Sequence, residues 1–284
     1  MSKRNLIIAA ALSVSFAFSL ASGTAKASGA GAEPLPDYKW GFEGIFGSFD
    51  KAQLKRGARV YLDVCSSCHS IEMIYYRNLV DIGFSEDEAK DIASEYEVQD
   101  GPDDEGEMFM RPARLSDRFV KPFANEKAAR ASNGGAFPPD LSVITKARKG
   151  GANYIYGLMT GYEDDAPEGF EMSEGTHYNR YFPGHQIFMA QPLFDESVEY
   201  EDGTEATLDQ HAKDISAFLA WSSNPELEER KSLGVKVILY LIILTAMFYA
   251  LKRRIWNRIC LDEYTHGPYV EKFEAEINKH KRPN

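Results

Sequence analysis

A segment of nineteen residues near the C-terminus, from Leu233 to Leu251, restricts this chain more than any other feature. The segment is apolar except for Lys236 and Thr245. As an α-helix it would extend roughly 28 Å, close to the hydrocarbon thickness of a bilayer. Lys236 lies one turn inside, where its long side chain can reach the headgroups. We therefore predict a transmembrane helix over 233–251 rather than the core helix of a globular domain.

The N-terminus has the three parts of a secretory signal. Lys3 and Arg4 precede an apolar stretch, and small residues follow, with Ala25 and Ala27 at the spacing of a cleavage site. We predict a signal peptide over 1–27, with an uncleaved anchor as the alternative. A mitochondrial presequence would be Arg-rich and amphipathic, so export from a bacterial cytoplasm is the expected route.

Length and charge limit what lies between these two segments. The 284 residues, 44% of them hydrophobic, suffice for one sizeable domain with accessory segments. The formal charge of −11 becomes −14 once the three cations of the signal peptide are removed. Such a surface repels nucleic acid and anionic headgroups and favours a basic protein partner. We predict one domain over 28–230 and a short tail over 252–284.

Apolar periodicity predicts two helices in that domain. The first follows Asp50 and presents one face, made of Leu54, Ala58, Tyr61, Leu62 and Cys65. Thr207 and Gln210 have the spacing of a capping box, opening a second helix that ends near Asn224. Its predicted buried stripe is Leu208, Ala212, Ile215 and Leu219. The intervening chain is rich in Gly, Pro and acids, with little strand alternation, so we expect a mostly helical, loop-rich domain without internal repeats.

The sequence CSSCH at 65–69 is a C-x-x-C-H motif. In an exported chain this spacing lets Cys65 and Cys68 form thioethers to haem while His69 reaches the iron. A thioredoxin-like pair would need a βαβ pattern, and a zinc site would need a second ligand pair, and the sequence has neither. We predict one covalently attached haem c. The third cysteine, Cys260, is interpreted as a buried or interfacial thiol.

The sixth iron ligand has several candidates, of which Met189 stands out. It lies in the apolar segment IFMAQPL at 187–193, which Pro192 stiffens. Methionine ligation raises the reduction potential, and two filled axial positions leave no place for substrate or oxygen. Most methionines are core residues. The other candidates are Met73, Met108, Met110, Met159, Met172, His177, His185 and His211.

Two charged segments are candidate contact sites. Arg148, in the basic run KARKGGANY at 146–154, can bind a haem propionate bidentately, with a solvated loop as the alternative. Residues 85–107 contain eleven acids and one cation, Lys90. Such a run is usually a solvated face, but a patch of one sign can raise association rates ~10 to ~1,000-fold. We favour docking of a basic partner.

The motif also sets the orientation, because haem is attached after export. The domain over 28–230 is therefore expected in the periplasm and the tail over 252–284 in the cytoplasm, making a single-pass protein of the bacterial inner membrane. Positive-inside counting agrees weakly. The cations compared are Lys252, Arg253, Arg254 and Arg258 after the segment against Arg230, Lys231 and Lys236 before it.

From Gly41 to Arg254 the chain resembles the cytochrome c1 family, the haem subunit of quinol–cytochrome c oxidoreductase (the cytochrome bc1 complex). The resemblance is carried by VCSSCHS at 64–70, EVQDGPDDEGEMFMRPARLSD at 97–117, NGGAFPPDLS at 133–142, YFPGHQIFMAQPL at 181–193 and the anchor ending in KRR. It implies that Met189 is the axial ligand. It also implies that a haem pocket is lined by Arg148, Tyr154, Asn133 and the segment 138–141, which includes Pro139 and Leu141. Gln191 departs from the family pattern, where a Pro is expected, which bears on the rigidity of that loop.

The resemblance also implies a fold and a function. The expected fold is mainly α, a class I-like c-type cytochrome haem domain with loop insertions and one C-terminal transmembrane helix. The expected role is electron transfer from the Rieske iron–sulfur protein to a soluble or membrane-bound cytochrome c, as the redox subunit of quinol–cytochrome c reductase in a proton-translocating chain. Cytochrome b would neighbour the anchor in a dimeric complex. The alternatives are a haem enzyme with an open sixth position and a cytochrome feeding a terminal oxidase or reductase.

Overall fold

Helices dominate residues 32–266 and 268–280, the part of the chain that the computed structural model describes. The signal peptide predicted over 1–27 lies outside these residues. The α-helices are α1 (Lys51–Asp63), α2 (Glu86–Ser94), α3 (Glu126–Ser132), α4 (Ile144–Ala147), α5 (Ala152–Thr160), α6 (Leu208–Ser223), α7 (Leu227–His266) and α8 (Pro268–His280). Two 3-10 helices cover Cys65–Ser67 and Tyr76–Ile82. The predicted mainly helical class is confirmed.

The strands are short, in agreement with the weak alternation of the sequence. Strand β1 (Glu97–Asp100) pairs antiparallel with β2 (Phe109–Pro112). Strand β3 (His177–Tyr178) pairs antiparallel with β4 (Gln186–Ile187). The chain forms two compact units: one contains the described residues up to Tyr38 and Lys51–Ser223, and the other contains Lys39–Asp50 and the chain from Asn224 onward.

The first unit is built on helices α1 and α6. Leu54, Ala58 and Tyr61 are buried, as the periodicity predicted. A Cβ at Gly57 would lie 2.1 Å from the carbonyl oxygen of Asp214, so only glycine permits this close approach of the two helices. The prediction that α1 itself carries Cys65 was wrong. The helix ends at Asp63, and Cys65 begins the 3-10 turn that follows.

Helix α6 begins and ends where the sequence indicated, at Leu208 and just before Asn224. The backbone N–H of Gln210 donates to Thr207 Oγ1 over 3.2 Å. The reciprocal half of the predicted capping box does not form, because the Thr207 N–H donates to the Glu205 carbonyl instead. Burial is wider than the predicted stripe and takes in almost every residue from 211 to 223, whereas Leu208 is only partly buried.

A polar cluster lies between helices α1 and α6, and the sequence gave no indication of it. Asp214 is fully buried, and its Oδ2 accepts a hydrogen bond from Arg56 Nε over 2.9 Å. The Gln210 side chain donates to Asp214 Oδ1, and Arg56 also pairs with Asp202 over 2.8 Å. A buried carboxylate needs such partners, because desolvation without them is costly.

The second unit contains the long helix α7. At about 1.5 Å per residue, its forty residues extend ~60 Å, well beyond the thickness of a hydrocarbon core. The part from Leu227 to Asn257 is long and apolar enough to cross a membrane. Its apolar side chains are exposed, with Leu233, Ile238 and Ile243 each about 60% accessible. An exposed helix of this kind fits a single-pass membrane anchor.

Candidate functional site

The imidazole of His69 is oriented by a hydrogen bond to the backbone. Its Nδ1 lies 2.8 Å from the carbonyl oxygen of Pro139. A carbonyl only accepts, so Nδ1 carries the proton and Nε2 is left with the lone pair that binds a metal. Burial lowers the pKa of His69, opposed by the bond to Pro139 and the charge of Asp140. The ring is therefore held neutral, the form a metal requires.

The backbone around His69 is fixed from the other side by helix α1. The hydroxyl of Tyr61, a residue only 1% exposed, donates to the carbonyl oxygen of His69 over 3.0 Å. Tyr61 packs against the rings of Phe119 and Phe218 at centroid distances of 5.9 and 5.8 Å. The sequence predicted Tyr61 as a core residue but gave no sign of this hydrogen bond.

Asp140 joins the loop carrying Pro139 to the segment after His69. Its Oδ2 accepts from the Ser70 hydroxyl and from the Glu72 N–H, both over 2.9 Å, and its Oδ1 accepts from the Ser142 N–H over 2.9 Å. The Leu141 N–H donates to the Ser70 carbonyl over 2.8 Å. Burial opposes ionisation of Asp140, but the hydrogen bonds from Ser142, Glu72 and Ser70 outweigh it and lower its pKa. The family resemblance included this residue in the pocket segment 138–141, but the sequence gave no sign of these hydrogen bonds.

The same loop is held against the end of helix α6. The hydroxyl of Thr145 donates to Ser223 Oγ over 2.8 Å, and Ser222 Oγ donates to the Ser142 carbonyl over 3.2 Å. All four side chains are buried. The position of Pro139 opposite His69 therefore depends on helices α1 and α6 together, although these lie far apart in the chain.

Cys65 and Cys68 lie at the two ends of a hydrogen-bonded turn. The N–H groups of Cys68 and His69 both donate to the Cys65 carbonyl, over 3.2 and 2.9 Å. Neither thiol is in a disulfide, and both side chains are partly exposed. Burial, with the neighbouring Cys68, raises the pKa of Cys65 to about 12, so it is a neutral thiol near pH 7. Two free thiols followed by an oriented neutral imidazole are a donor set that fits a c-type haem.

Met189 is partly buried and lies in a loop with its own supports. The Tyr162 hydroxyl donates to the Met189 carbonyl over 2.9 Å. Tyr162 in turn forms an antiparallel bridge with Asn179, a fully buried residue. The side chain of Gln191, which stands where the family pattern has Pro, donates to the Leu193 carbonyl over 2.8 Å. This hydrogen bond restricts the loop locally, as the ring of a proline at position 191 would do.

The remaining predicted site residues fall into two places. Arg148 is exposed and lies beside the Tyr154 hydroxyl. Burial raises the pKa of Tyr154, and the neighbouring Arg148 offsets part of that rise. Asn133 ends helix α3, where its amide donates to the Ala129 carbonyl over 2.7 Å. Hydrogen bonds thus join His69 to the loop of Pro139 and Leu141, while Asn133 and Met189 are held by other parts of the chain.

The acidic run divides into two elements with different partners. In helix α2, Glu88 pairs with Lys55 over 2.6 Å. In the hairpin of β1 and β2, Asp100 pairs with Arg111. Residues 101–108 between the strands are all exposed, including the acids Asp103, Asp104, Glu105 and Glu107. The exposed acids of the predicted docking patch therefore lie in more than one place: these four are at the hairpin tip, and others, including Glu86, Asp87 and Asp91, are on helix α2.

Comparison with known proteins gives one family. A family model described as the Cytochrome C1 family matches residues 40–259, a range that includes the motif at 65–69, Met189 and most of α7. The Rhodospirillum rubrum protein cytochrome c1 is 49% identical over 255 residues, covering 84% of this chain and 94% of the relative. The Arabidopsis thaliana protein cytochrome c1 1, heme protein, mitochondrial, is 55% identical over 224 residues, covering 78% and 72%. The Candida albicans cytochrome b-c1 complex catalytic subunit, mitochondrial, is 48% identical over 233 residues, covering 82% and 81%.

Proposed function

Because this chain belongs to the cytochrome c1 family, we propose that it is the haem-carrying electron-transfer subunit of a cytochrome bc1 complex. In this role it accepts electrons from the Rieske iron–sulfur protein and passes them to a soluble or membrane-bound cytochrome c. It contributes to quinol–cytochrome c reductase as a redox subunit, without substrate chemistry of its own. The observation that carries the proposal is the bond from His69 Nδ1 to the Pro139 carbonyl, directly after two free thiols.

Each site residue has a defined task in the proposed haem site. Cys65 and Cys68 would form the thioethers, and His69 Nε2 and the Met189 thioether would be the axial ligands. Haem bound in this way supplies a one-electron ferric–ferrous couple. Pro139 keeps the His69 ring in one orientation, and the Tyr162 bond to Met189 keeps the methionine loop in place.

Three further residues complete the proposed pocket. Arg148 would pair with a haem propionate, because its guanidinium is exposed and lies next to the Tyr154 hydroxyl. Leu141 is 8% exposed and its backbone is bonded to Ser70, so it would form part of the apolar wall. Asn133 would line the pocket through its position at the end of α3.

Replacement of Met189 by Leu tests the closed, high-potential site. The variant should have a lower midpoint potential and should bind cyanide faster in the ferric state, because Leu supplies no axial ligand. Ferric wild-type protein should show the methionine-to-iron charge-transfer band in the near infrared, and the variant should lack it. An unchanged band and potential would place the sixth ligand elsewhere. Rapid cyanide binding by the wild type would favour a haem enzyme.

We also propose the placement of the chain in the membrane. Residues 1–27 are removed on export, residues 28–230 lie in the periplasm, 233–251 cross the bacterial inner membrane and 252–284 lie in the cytoplasm. The apolar, exposed stretch of α7 supports the crossing. Protease added to spheroplasts should digest the haem domain and spare an epitope on the tail. Protection of the haem domain would reverse the orientation.

The proposed neighbours are cytochrome b, the Rieske protein and a second copy of the complex. Mild detergent extraction should recover this chain with b-type haem and an iron–sulfur centre, both visible in redox difference and electron paramagnetic resonance spectra. Isolation of the chain with a terminal oxidase or reductase, and without b-type haem, would favour the alternative role.

The exposed acids at the tip of the β1–β2 hairpin are proposed to steer a basic cytochrome c to the haem domain. The tip is ordered, because Asp103 Oδ1 accepts from the N–H groups of Glu105 and Glu107, both over 2.9 Å. A patch of one sign at a defined position can steer the encounter with an oppositely charged partner and raise the association rate.

A further inference from the structure

Residues 41–48 of the second unit form a closed loop at the start of helix α7. The Ser48 N–H donates to the Gly41 carbonyl over 3.2 Å, which closes the loop. Gly44 has a φ of 70°, and a Cβ at Gly47 would lie 1.9 Å from the Glu43 carbonyl oxygen. Glycine is therefore required on both sides of the loop tip, and the loop has a defined shape.

The loop is fastened to the helix by the residues that precede the apolar span. Lys231 Nζ donates to the carbonyls of Phe42 and Gly47, over 2.7 and 2.8 Å. Glu228 Oε1 accepts from the Phe49 N–H over 2.8 Å. The ammonium group of Lys231 thus joins the two arms of the loop.

Aromatic packing stiffens the base of the loop. The rings of Trp40 and Phe42 stack with their centroids 5.5 Å apart, and Phe42 and Phe49 lie 4.7 Å apart. Trp40 is buried, at 5% exposure. These side chains leave the tip supported but do not cover it.

The tip itself exposes two large apolar side chains. Ile45 is 69% exposed and Phe46 is 84% exposed, the highest exposure among the large apolar residues of the described chain. The apolar span begins at Leu233, two residues after Lys231. The backbone of Lys231, whose side chain binds the loop, is therefore ~3 Å from the start of the span along the helix axis. The tip is therefore held next to the point where the anchor enters the bilayer.

We propose that Ile45 and Phe46 insert into the interfacial layer of the lipid bilayer, giving the domain a second membrane contact beside its anchor. Burial in lipid removes their apolar surface from water, and aromatic side chains favour this interface. The choice of lipid over a protein partner follows from continuity with the exposed apolar surface of α7, which begins two residues after Lys231, the residue that holds the loop. This inference rests on the proposal that 233–251 cross the membrane.

Spin-label accessibility in lipid vesicles tests this contact. The full haem-loaded chain, with Cys260→Ser, would carry a nitroxide on Ile45→Cys and be reconstituted into phosphatidylcholine vesicles. Power saturation then compares access by oxygen, which concentrates in lipid, with access by a water-soluble nickel chelate. Two control labels set the scale: Val237→Cys in the apolar span and Asp165→Cys at an exposed site of the haem domain.

The expected oxygen-to-nickel ratio for Ile45→Cys lies between the two controls and at least twofold above that of Asp165→Cys. A ratio equal to that of Asp165→Cys would overturn the inference, because the tip would then be in water. A label that is immobile and reached by neither reagent in the purified complex would also overturn it, because a protein would cover the tip. A Val237→Cys label with a water-like ratio would refute the membrane crossing itself, and the inference with it.

Discussion

Replacement of Asp140 by Ala should destabilise the haem domain through the loop that orients His69. The carboxylate accepts three hydrogen bonds, each 2.9 Å long, from Ser70, Glu72 and Ser142. A hydrogen bond to a charged group contributes ~1.5 kcal/mol or more, so three would contribute at least ~4.5 kcal/mol if fully buried. Asp140 is only partly buried, and water can reach some of the freed donors. We therefore expect a loss of about 2–4 kcal/mol in the free energy of unfolding.

The pH dependence of this loss provides an independent check. The pKa of Asp140 is lower in the folded protein than its ordinary value of 3.8. At a pH above this ordinary pKa, the ionised carboxylate makes its full contribution to the stability of the fold. The contribution is lost as the pH falls through the lower pKa of the folded protein. The difference between wild type and Asp140→Ala should be constant near neutral pH and should shrink in acid.

The assay is denaturant unfolding of the full, haem-loaded chain in detergent, followed by far-ultraviolet circular dichroism and haem absorption. Asp165→Ala removes the same charge from an exposed position and should change the unfolding free energy by less than ~0.5 kcal/mol. Equal effects of the two substitutions would refute the stabilising role of Asp140. If the unfolding free energy of Asp140→Ala stays below that of the wild type by the same amount down to acid pH, the charge of the carboxylate is not the cause of the difference.

Gly57→Ala should lower the unfolding free energy by about 1–3 kcal/mol, because the added Cβ would lie 2.1 Å from the Asp214 carbonyl oxygen; thermal melting measures this. Tyr162→Phe removes the donor to the Met189 carbonyl, so the near-infrared charge-transfer band should be lost at a lower temperature or pH than in wild type. Neutralising the three acids from Asp103 to Glu105 should flatten the dependence of electron-transfer rate on ionic strength with a basic cytochrome c, measured by stopped flow.

Each of these three predictions has an outcome that would contradict it. An unchanged melting temperature for Gly57→Ala would mean that the helices can separate without cost. A Tyr162→Phe protein with wild-type spectra throughout the titration would show that the methionine loop needs no such support. For the acids, the matched control neutralises Asp164, Asp165 and Glu168, which are also exposed. The same change of slope in both triple variants would assign the effect to net charge alone.

Local patterns in the sequence were sufficient for the elements that depend on local chemistry. The helix after Asp50 and the helix after Thr207 were found, because apolar spacing and capping residues act within a few positions. The apolar span was found because bilayer thickness fixes its length. The position of Cys65 was misjudged by a small distance: it lies just beyond the helix, in a 3-10 turn, where periodicity carries no information.

The site was only partly predictable for a different reason. The haem motif and Met189 were selected because the metal demands particular residue types. The hydrogen bonds of Asp140 and Tyr162 were missed, because a carboxylate in a loop and a tyrosine after a helix look alike in the sequence whether they are solvated or hydrogen-bonded to distant residues. The Gln191 side chain compensates for an absent Pro by a bond within its own loop, which composition does not reveal.

The sequence by itself determined the chemistry of this protein: two thiols and an imidazole at haem spacing, a candidate methionine, an apolar span and a cluster of acids. Only the tertiary structure decided how these parts are held, because contacts between distant segments place the Pro139 carbonyl at His69 and the Tyr162 hydroxyl at the Met189 carbonyl. It also placed Ile45 and Phe46 beside the anchor helix, which is almost two hundred residues away in the chain. The connection is made by Lys231, which donates to the carbonyls of Phe42 and Gly47. Contacts between distant residues depend on the complete packing of the chain, which no short stretch of sequence contains.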